Sequence, residues 1–446
     1  MHGSHSGVAI VGLRSDNDPT MTDLHDVPLH RLDPARIPVV LLGGLNLVRA
    51  LGLAGIPAVV ATSDHEEPAL DSRYCTVAVT LPPPHQHDAR VDAIAALGER
   101  LAGIFGRRVP LMYGSDDALE LIYAHRERLA RHFLFLVADP EVAESLIAKD
   151  RFQAFAESRG LPVPRALAWD GAGPGSLAAC KGPVVMKPRA KRDWHQSMLC
   201  QRLFGGDGKA VVLENGRAAL GNADIARFHD QLTFQECIPG DDTCLWSYHG
   251  FADEEGIVIE AFTGRKIRTY PAGMGESAYI ELAPDPGLDA VARELVPRAG
   301  LRGPFKIDFK RDPRDGRWYV LEINARYTLW QYVGAANGVN LMRTAYDYLL
   351  HRERTRFPAA VPSVRWIDFS LDRRAYRQLR AEGKLSTIAW LASLVVSRKL
   401  YNLFSWRDPL PFVQRALFRL VRLSRRVGVA PARIFRRVRQ WRSTAS

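Results

Sequence analysis

Residues 303–326 constrain the fold of this chain more than any other segment, because they read as two strands joined by a polar turn. Apolar side chains recur at alternate positions in residues 305–311 and 318–323, and the intervening Asp-Pro-Arg-Asp-Gly is rich in turn-forming residues. Side chains two residues apart on a strand share one face, and a hairpin returns the second strand beside the first. The pattern therefore predicts an antiparallel hairpin with polar side chains gathered on one face.

The polar face of this hairpin has the composition of a metal-and-phosphate site. Glu322, Asn324 and Arg326 point to the same side, and the turn returns Asp308 beside them. Two carboxylates and an amide oxygen are hard ligands of the kind that Mg²⁺ accepts, and the guanidinium adds a fixed cation for a transferring phosphate. A solvated hairpin with surface charges explains the same pattern, so this segment alone leaves both interpretations open.

Two further segments carry groups that can bind a nucleotide. Residues 182–188 form a buried type of strand in which Lys187 can reach phosphate oxygens, although a surface lysine at a strand end is the common alternative. In the strand and hinge that follow later, backbone groups of Glu236 and Ile238 can read adenine, and Asp242 can accept hydrogen bonds from ribose hydroxyls. Residues 189–208, which include several glycines, suit a flap over the phosphates.

The chain changes its secondary-structure pattern along its length. Residues 37–140 alternate short apolar runs with helical spacing, which predicts a Rossmann-like α/β unit with a parallel sheet. The run Gly-Gly-Leu-Asn at residues 43–46 lacks GxGxxG spacing, which argues against a nicotinamide dinucleotide. From about residue 165 strand candidates outnumber helices, so we expect an α+β region with an antiparallel sheet.

The net charge of +11 is concentrated at one end of the chain. Residues 398–446 hold 12 arginines, one lysine and one aspartate, a balance of +12 that leaves −1 for residues 1–397. The charge of residues 1–397 therefore does not indicate a nucleic-acid-binding surface.

A cytoplasmic location is expected from three features of the sequence. No run approaches the roughly 20 apolar residues of a membrane span, and residues 1–38 lack the order of a secretory signal. The five cysteines show no CxxC spacing.

Taken in order, these segments resemble the ATP-grasp superfamily over residues 37–350. The resemblance rests on Lys-Asp-Arg-Phe at residues 149–152, the Lys187 strand, residues 235–242 and the hairpin. It implies a Rossmann-like pre-ATP-grasp domain followed by an α+β ATP-grasp fold, with ATP and Mg²⁺, or Mn²⁺, as cofactors. The implied roles are nucleotide binding by Arg151, Lys187, Glu236, Ile238 and Asp242, metal binding by Asp308, Glu322 and Asn324, and catalysis by Lys187 and Arg326. Arg151 replaces the usual family lysine, and Lys149 is the alternative equivalent.

Two segments resemble one branch of this superfamily, the carboxylate-amine ligases similar to D-aspartate ligase. They are residues 113–117 and residues 264–277. The branch implies an ADP-forming reaction in which a carboxylate is phosphorylated and an amine attacks the acyl phosphate, with small substrates of amino-acid or envelope-precursor type. In physical terms, Arg265, Lys266 and Arg268 can face an acidic substrate, and Gly275 allows close backbone approach. An exposed charged strand is the alternative.

The predicted organisation has four parts. A flexible leader (1–36) precedes a Rossmann-like pre-ATP-grasp domain (37–140). An ATP-grasp domain (141–355) follows, with a small lid subdomain at about 165–240 and a C-terminal subdomain at about 241–355, and a helical, arginine-rich extension (356–446) comes last. In the extension, arginines alternate with apolar residues at helical spacing, which predicts basic amphipathic helices. An anionic membrane surface is the favoured partner, packing on the core is close behind, and nucleic acid is the weakest. A non-catalytic ATP-binding scaffold, or a membrane-associated protein that uses these helices, is the alternative to a ligase.

Overall fold

The first part of the structure, a computed structural model, is built on a parallel sheet; residues 27–426 are described, apart from 172, 174, 190–197, 206–209 and 274. The sheet contains β1 (Val39–Leu42), β2 (Ala58–Thr62), β3 (Cys75–Thr80), β4 (Val109–Tyr113) and β5 (Phe133–Leu134). Its strand order is β3-β2-β1-β4-β5 with every pair parallel, which is the order of a doubly wound sheet. The leader residues 1–26 lie outside the described residues.

Six helices accompany this sheet and lead out of it. They are α1 (Leu45–Leu53), α2 (His87–Phe105), α3 (Asp116–Ala124), α4 (Arg126–Leu129), α5 (Pro140–Ile147) and α6 (Lys149–Ser158). Strand β1 consists of Val-Val-Leu-Leu and is buried at every position, as expected for a central parallel strand that is covered on both faces. Helix α2 ends at Gly106, whose positive φ of 63° is the conformation that commonly stops a helix.

A small antiparallel sheet follows. It contains β6 (Ala166–Leu167), β7 (Val184–Pro188), β8 (Val211–Leu213) and β9 (Leu232–Glu236), in the order β6-β9-β7-β8. Three short helices cover it: α7 (Met198–Phe204), α8 (Gly216–Leu220) and α9 (Ala223–Phe228). Its own apolar core includes Leu177, Met186 and Phe234, separate from the core of the larger sheet. Parts of the predicted flap, residues 190–197 and 206–209, lie outside the described residues.

The largest sheet has seven strands and carries the predicted hairpin. The strands are β10 (Leu245–Ala252), β11 (Val258–Tyr270), β12 (Glu276–Leu282), β13 (Gly303–Arg311), β14 (Trp318–Asn324), β15 (Val364–Ile367) and β16 (Arg398–Tyr401). Their order is β14-β13-β10-β11-β12-β15-β16. The helices of this part are α10 (Pro286–Arg298), α11 (Trp330–Ala336), α12 (Leu341–His351), α13 (Phe369–Ala381), α14 (Thr387–Val395) and α15 (Leu410–Arg426).

The C-terminal extension differs from the sequence-based prediction, because it is not purely helical. β15 pairs antiparallel with β12, and β16 pairs parallel with β15, so the extension continues the large sheet. Strand β12 would otherwise be an edge strand with unpaired backbone groups, which is the physical reason for adding strands there. Residues 427–446 lie outside the described residues. Among the described helices, none has the length and apolar character needed to cross a membrane.

Two buried ion pairs attach the extension to the rest of the protein. Arg49 Nε of α1 lies 2.9 Å from Asp408 Oδ2, and neither side chain is more than 1% exposed. Arg268 Nε of β11 lies 2.6 Å from Asp372 Oδ1 of α13. Buried charges are tolerated only when they are paired, so each pair fixes one segment of the extension against the body of the protein.

Candidate active site

The hairpin brings the predicted metal-binding side chains together. β13 and β14 pair antiparallel, with Asp308 opposite Glu322 and Lys306 opposite Asn324. Directly opposed residues on neighbouring strands project from the same face, so these four side chains share one face of the large sheet. The face continues onto β10, where Ser247 lies opposite Asp308.

Asp308 is an enclosed anion surrounded by cations, with 6% of its surface exposed. Its Oδ2 lies 2.7 Å from Lys306 Nζ and its Oδ1 lies 3.5 Å from Lys266 Nζ, while Ser247 Oγ donates a hydrogen bond to Oδ1. Burial by itself raises the pKa of this carboxyl, but the two ammonium groups and the hydrogen bonds outweigh burial and hold the pKa well below its usual range. Asp308 is therefore ionised at neutral pH.

The donor set fits a hard divalent cation in an open site. Glu322 is exposed, and Asn324 Oδ1 accepts a hydrogen bond from Arg326 Nη2 at 3.0 Å. Within the described part of the chain, no group of three or more His, Cys, Asp or Glu side chains could enclose a metal ion. Mg²⁺ typically uses one or two carboxylates and completes its shell with water and phosphate oxygens. Asp308, Glu322 and Asn324 therefore suit a cation shared with a bound nucleotide.

Arg326 is fixed by an ion pair with a residue at the start of helix α3. Its Nε lies 2.6 Å from Asp116 Oδ1, and both side chains are about one-fifth exposed. Asp116 is the first residue of α3, whose N-terminus is capped by Ser115. The two partners are 210 residues apart in sequence. The ion pair orients the guanidinium beside Asn324 and connects the first sheet to the hairpin.

Lys306 and His249 also belong to this face without having been predicted. Lys306 precedes Asp308 by two residues, so strand alternation contains the signal for its position. Burial lowers the pKa of its ammonium group, and the charge of Asp308 opposes that effect. His249 is fully buried and stacks between Phe262 and Trp330 at centroid distances of 4.9 and 4.8 Å. Burial lowers the pKa of His249 well below its usual value, so its ring is neutral.

The predicted nucleotide-binding residues of the small sheet lie on two neighbouring strands. Lys187 of β7 is opposite Thr233 of β9, and Glu236 is the last residue of β9. The amide of Glu236 donates to the carbonyl of Arg165 at 2.9 Å, and the Glu236 carboxylate lies 3.4 Å from Arg165 Nε. Recognition of adenine by the backbone of Glu236 can therefore use only its carbonyl. Ile238 follows in the hinge and is buried.

The hinge after β9 passes close to the turn of the hairpin. Gly240 has a positive φ of 102°, and a Cβ atom at this position would lie 2.5 Å from Cys244 Sγ and 3.6 Å from Pro313 Cδ. Only glycine fits such a backbone conformation without strain. The close approach places the predicted nucleoside-binding segment beside the strands that carry Asp308 and Glu322.

Asp242 is held by the end of strand β11. Its Oδ2 accepts hydrogen bonds from the amide of Thr269 at 3.0 Å and from Thr269 Oγ1 at 3.1 Å. Its Oδ1 is buried, and no described residue donates a hydrogen bond to it. Burial raises the pKa of Asp242, while the hydrogen bonds from Thr269 oppose that rise. A buried carboxylate oxygen with spare acceptor capacity suits a hydroxyl donor such as a ribose.

Helix α13 of the extension supports the loop that follows β11. Gln378 Oε1 accepts a hydrogen bond from the amide of Ala272 at 3.0 Å, and the amide of Gly273 donates to Thr269 Oγ1 at 2.9 Å. We expect Gln378→Ala to raise KM for ATP about fivefold, the equivalent of one neutral hydrogen bond of about 1 kcal/mol, with kcat unchanged. Glu382→Ala removes only the acceptor of Gln378 Nε2, 2.9 Å away, and should retain the parental KM in steady-state assays. A fall in kcat at unchanged KM would contradict this positioning role.

The three cations predicted to face an acidic substrate do not form one surface. Lys266 faces the hairpin, whereas Arg265 pairs with Glu281 and Arg268 is buried against Asp372. The pairing of β11 with β12 shifts register between Lys266 and Arg268, which breaks the alternation of side chains along the strand. The expectation of a single cationic strand is corrected accordingly, and only Lys266 reaches the Asp308 face.

Two other predicted residues have local partners. A Cβ atom on Gly275 would lie 1.9 Å from the carbonyl carbon of Tyr270, so glycine is required where the loop packs against its own preceding strand. Arg151 lies 3.3 Å from Glu144, and its side chain is 63% exposed. The side chain of Lys149 lies outside the described residues. The choice between Arg151 and Lys149 as the phosphate-binding cation therefore stays a prediction.

The chain shows a partial sequence relationship to one curated protein. No protein-family profile matches it. It is 27% identical over 238 residues to the D-aspartate ligase of Enterococcus faecium (strain Aus0004), a match that covers 51% of this chain and 55% of that protein. The match thus spans little more than half the length of the curated relative.

Two solved structures of N5-carboxyaminoimidazole synthetase from Staphylococcus aureus share the architecture. The complex with ADP has a TM-score of 0.52 at 12% identity and covers 72% of this chain and 80% of that chain. A second structure of this enzyme has a TM-score of 0.53 at 12% identity and covers 78% of this chain and 85% of that chain. At this level of identity the likeness concerns the fold. The chain therefore has the ATP-grasp fold and is similar in sequence to a D-aspartate ligase.

Proposed function

We propose that this protein is an ATP-dependent, ADP-forming carboxylate-amine ligase. The observation that carries the proposal is the shared face of the hairpin, where Asp308 is opposite Glu322 and Asn324 bonds to an Arg326 that Asp116 orients. A hairpin with only a structural role does not require this arrangement, in which the buried Asp308 lies next to two lysines, the exposed carboxylate of Glu322 and the oriented guanidinium of Arg326. The sequence match to a ligase supports the same reaction class.

In the proposed reaction, a carboxylate oxygen attacks the γ-phosphorus of ATP, and the bond from that phosphorus to ADP breaks. An amine then attacks the acyl phosphate carbon, loses a proton and expels inorganic phosphate as the amide forms. Catalysis by this route depends mainly on positioning and charge neutralisation. Mg²⁺, or Mn²⁺, held by Asp308, Glu322 and Asn324 would neutralise phosphate charge.

The chain's own residues would divide the remaining tasks. Lys187 would bind phosphate oxygens of the nucleotide from the small sheet, and Arg326 would stabilise the charge on the transferring phosphoryl group. Asp242 would accept a hydrogen bond from a ribose hydroxyl, and backbone groups of Glu236 and Ile238 would bind the adenine base. Lys266 and Lys306 would place two ammonium groups next to the anionic reactants. We propose the cytoplasm as the location, because ATP is supplied there.

A screen for ADP release tests the proposal. The full chain, with ATP and Mg²⁺, is incubated with pairs of amino acids and small carboxylates, and ADP and amide are measured together. We expect ADP formation that needs both members of a pair and yields one amide per ADP. Binding of ATP without turnover for any pair would instead support a non-catalytic ATP-binding scaffold.

A further inference from the structure

Helix α15 exposes several large apolar side chains. Phe412, Val413 and Leu420 are 44%, 43% and 51% exposed, and the helical repeat places them on one face. The side toward the protein includes the buried Pro411 and also Arg415, whose Nη1 lies 3.3 Å from Glu66 Oε2. A helix that packs on a core normally buries its apolar face and exposes its arginines. In α15, by contrast, Phe412, Val413 and Leu420 are at least as exposed as Arg415, whose side chain is 37% exposed.

Helix α14 exposes a second apolar stripe. Ile388, Leu391 and Val395 are 82%, 52% and 82% exposed, and their spacing of three and four residues puts them on one side of the helix. The other side packs on α13, where the Trp390 ring stacks on Tyr376 at a centroid distance of 4.3 Å. Helix α14 is thus anchored through one face and presents aliphatic side chains on the other.

A cluster of aromatic side chains precedes helix α15 and contacts its first turn. The Phe404 ring lies 4.8 Å from the Trp406 ring and 5.4 Å from the Phe412 ring, measured between centroids, and Trp406 is 88% exposed. We call the exposed members of α14, this aromatic cluster and α15 the outer strip: Ile388, Leu391, Val395, Trp406, Phe412, Val413 and Leu420. Single exposed apolar residues are ordinary on a protein surface, whereas groups of them on one helix face commonly mark an interaction site.

We propose that the outer strip docks on an anionic lipid surface. Apolar side chains flanked by arginines are the pattern of helices that lie in the membrane interface, where aliphatic and aromatic groups enter the acyl boundary and guanidinium groups meet anionic headgroups. Residues 398–446 supply this charge, with a balance of +12. A second copy of the chain would bring an equally basic segment to the contact, and nucleic acid would leave the exposed aliphatic residues in water. The docking is interfacial, since none of the described helices can span a bilayer.

Vesicle co-sedimentation of the full chain tests this proposal. The protein is mixed with phosphatidylcholine vesicles that either contain or lack phosphatidylserine. We expect binding to the anionic vesicles, weakened by added salt, and a fall in affinity of about tenfold or more for Val413→Glu combined with Leu420→Glu. Ile388→Glu combined with Val395→Glu should have a similar effect. All four positions are exposed, so these variants should keep the parental circular dichroism spectrum.

A matched control is Ile104→Glu, which places the same charge on an apolar residue of α2 that is 48% exposed. This variant should bind anionic vesicles as tightly as the parent does. The proposal is overturned if both double variants still bind normally, if neutral vesicles bind equally well, or if the strip instead mediates self-association in sedimentation velocity runs without lipid. ADP formation measured without vesicles should be unchanged in the double variants, so this result is independent of the ligase proposal.

Discussion

A Glu322→Gln variant is expected to form ADP with kcat lowered by about 100-fold to 1000-fold, the usual cost of removing one group that stabilises transition-state charge. Glutamine has nearly the shape of glutamate but lacks the negative charge that a divalent cation requires. Glu322 is exposed and lies opposite Asp308, so its replacement alters the site without opening the core. The measurement is coupled ADP release at saturating ATP and Mg²⁺, together with the unfolding midpoint.

Glu294→Gln is the matched control for this variant. Glu294 is on α10, its side chain is 73% exposed, and it pairs with Arg298 one turn away. We expect the control to keep the parental kcat, since its ion pair is on the surface and Glu294 is not on the hairpin face. A Glu322→Gln enzyme with parental turnover would show that the hairpin face does not hold the cation.

An Asp408→Ala variant is expected to lose about 3–5 kcal/mol of unfolding free energy, the typical cost of leaving a buried charge without its partner. Arg49 would keep its charge with no exposed side-chain surface, because both members of this pair are at most 1% exposed. Asp408 also accepts hydrogen bonds from Ser72 Oγ and from the amide of Arg73, both at 2.8 Å. Urea unfolding followed by tryptophan fluorescence measures the change.

Two further variants serve as controls for the stability of Asp408→Ala. Asp92→Ala breaks the exposed pair between Arg128 and Asp92, whose side chains are 48% and 61% exposed, and should cost less than about 1 kcal/mol. Arg49→Met combined with Asp408→Leu removes both charges and should recover most of the stability. If Asp408→Ala were no more destabilising than Asp92→Ala, the extension would not be anchored at this point.

The hairpin could be predicted from sequence because its information is local. Alternation and one turn are sufficient to place Glu322 and Asn324 on one face and to return Asp308 beside them, and the observed register agrees. The same alternation also places Lys306 on this face. Its burial depends on the neighbouring strands, and no local pattern reveals that.

Other parts of the site depend on contacts between distant segments. The partner of Arg326 is 210 residues earlier in the chain, and a single sequence contains no sign of that pairing. Arg268 reads as a substrate-facing cation until the register shift of β11 and the approach of Asp372 are known. The strands of the extension were also missed, because β15 and β16 have only four residues each and are defined mainly by their pairing.

The most direct test of the central claim follows an oxygen isotope from substrate to product. The carboxylate substrate found in the ADP-release screen is labelled with oxygen-18 and converted in the presence of the amine, ATP and Mg²⁺, and the inorganic phosphate is analysed by mass spectrometry. Phosphorylation of the carboxylate predicts that each phosphate released with an amide carries one oxygen from the carboxylate. Unlabelled phosphate accompanying amide formation would contradict the acyl-phosphate route and, with it, the proposed role of the hairpin face.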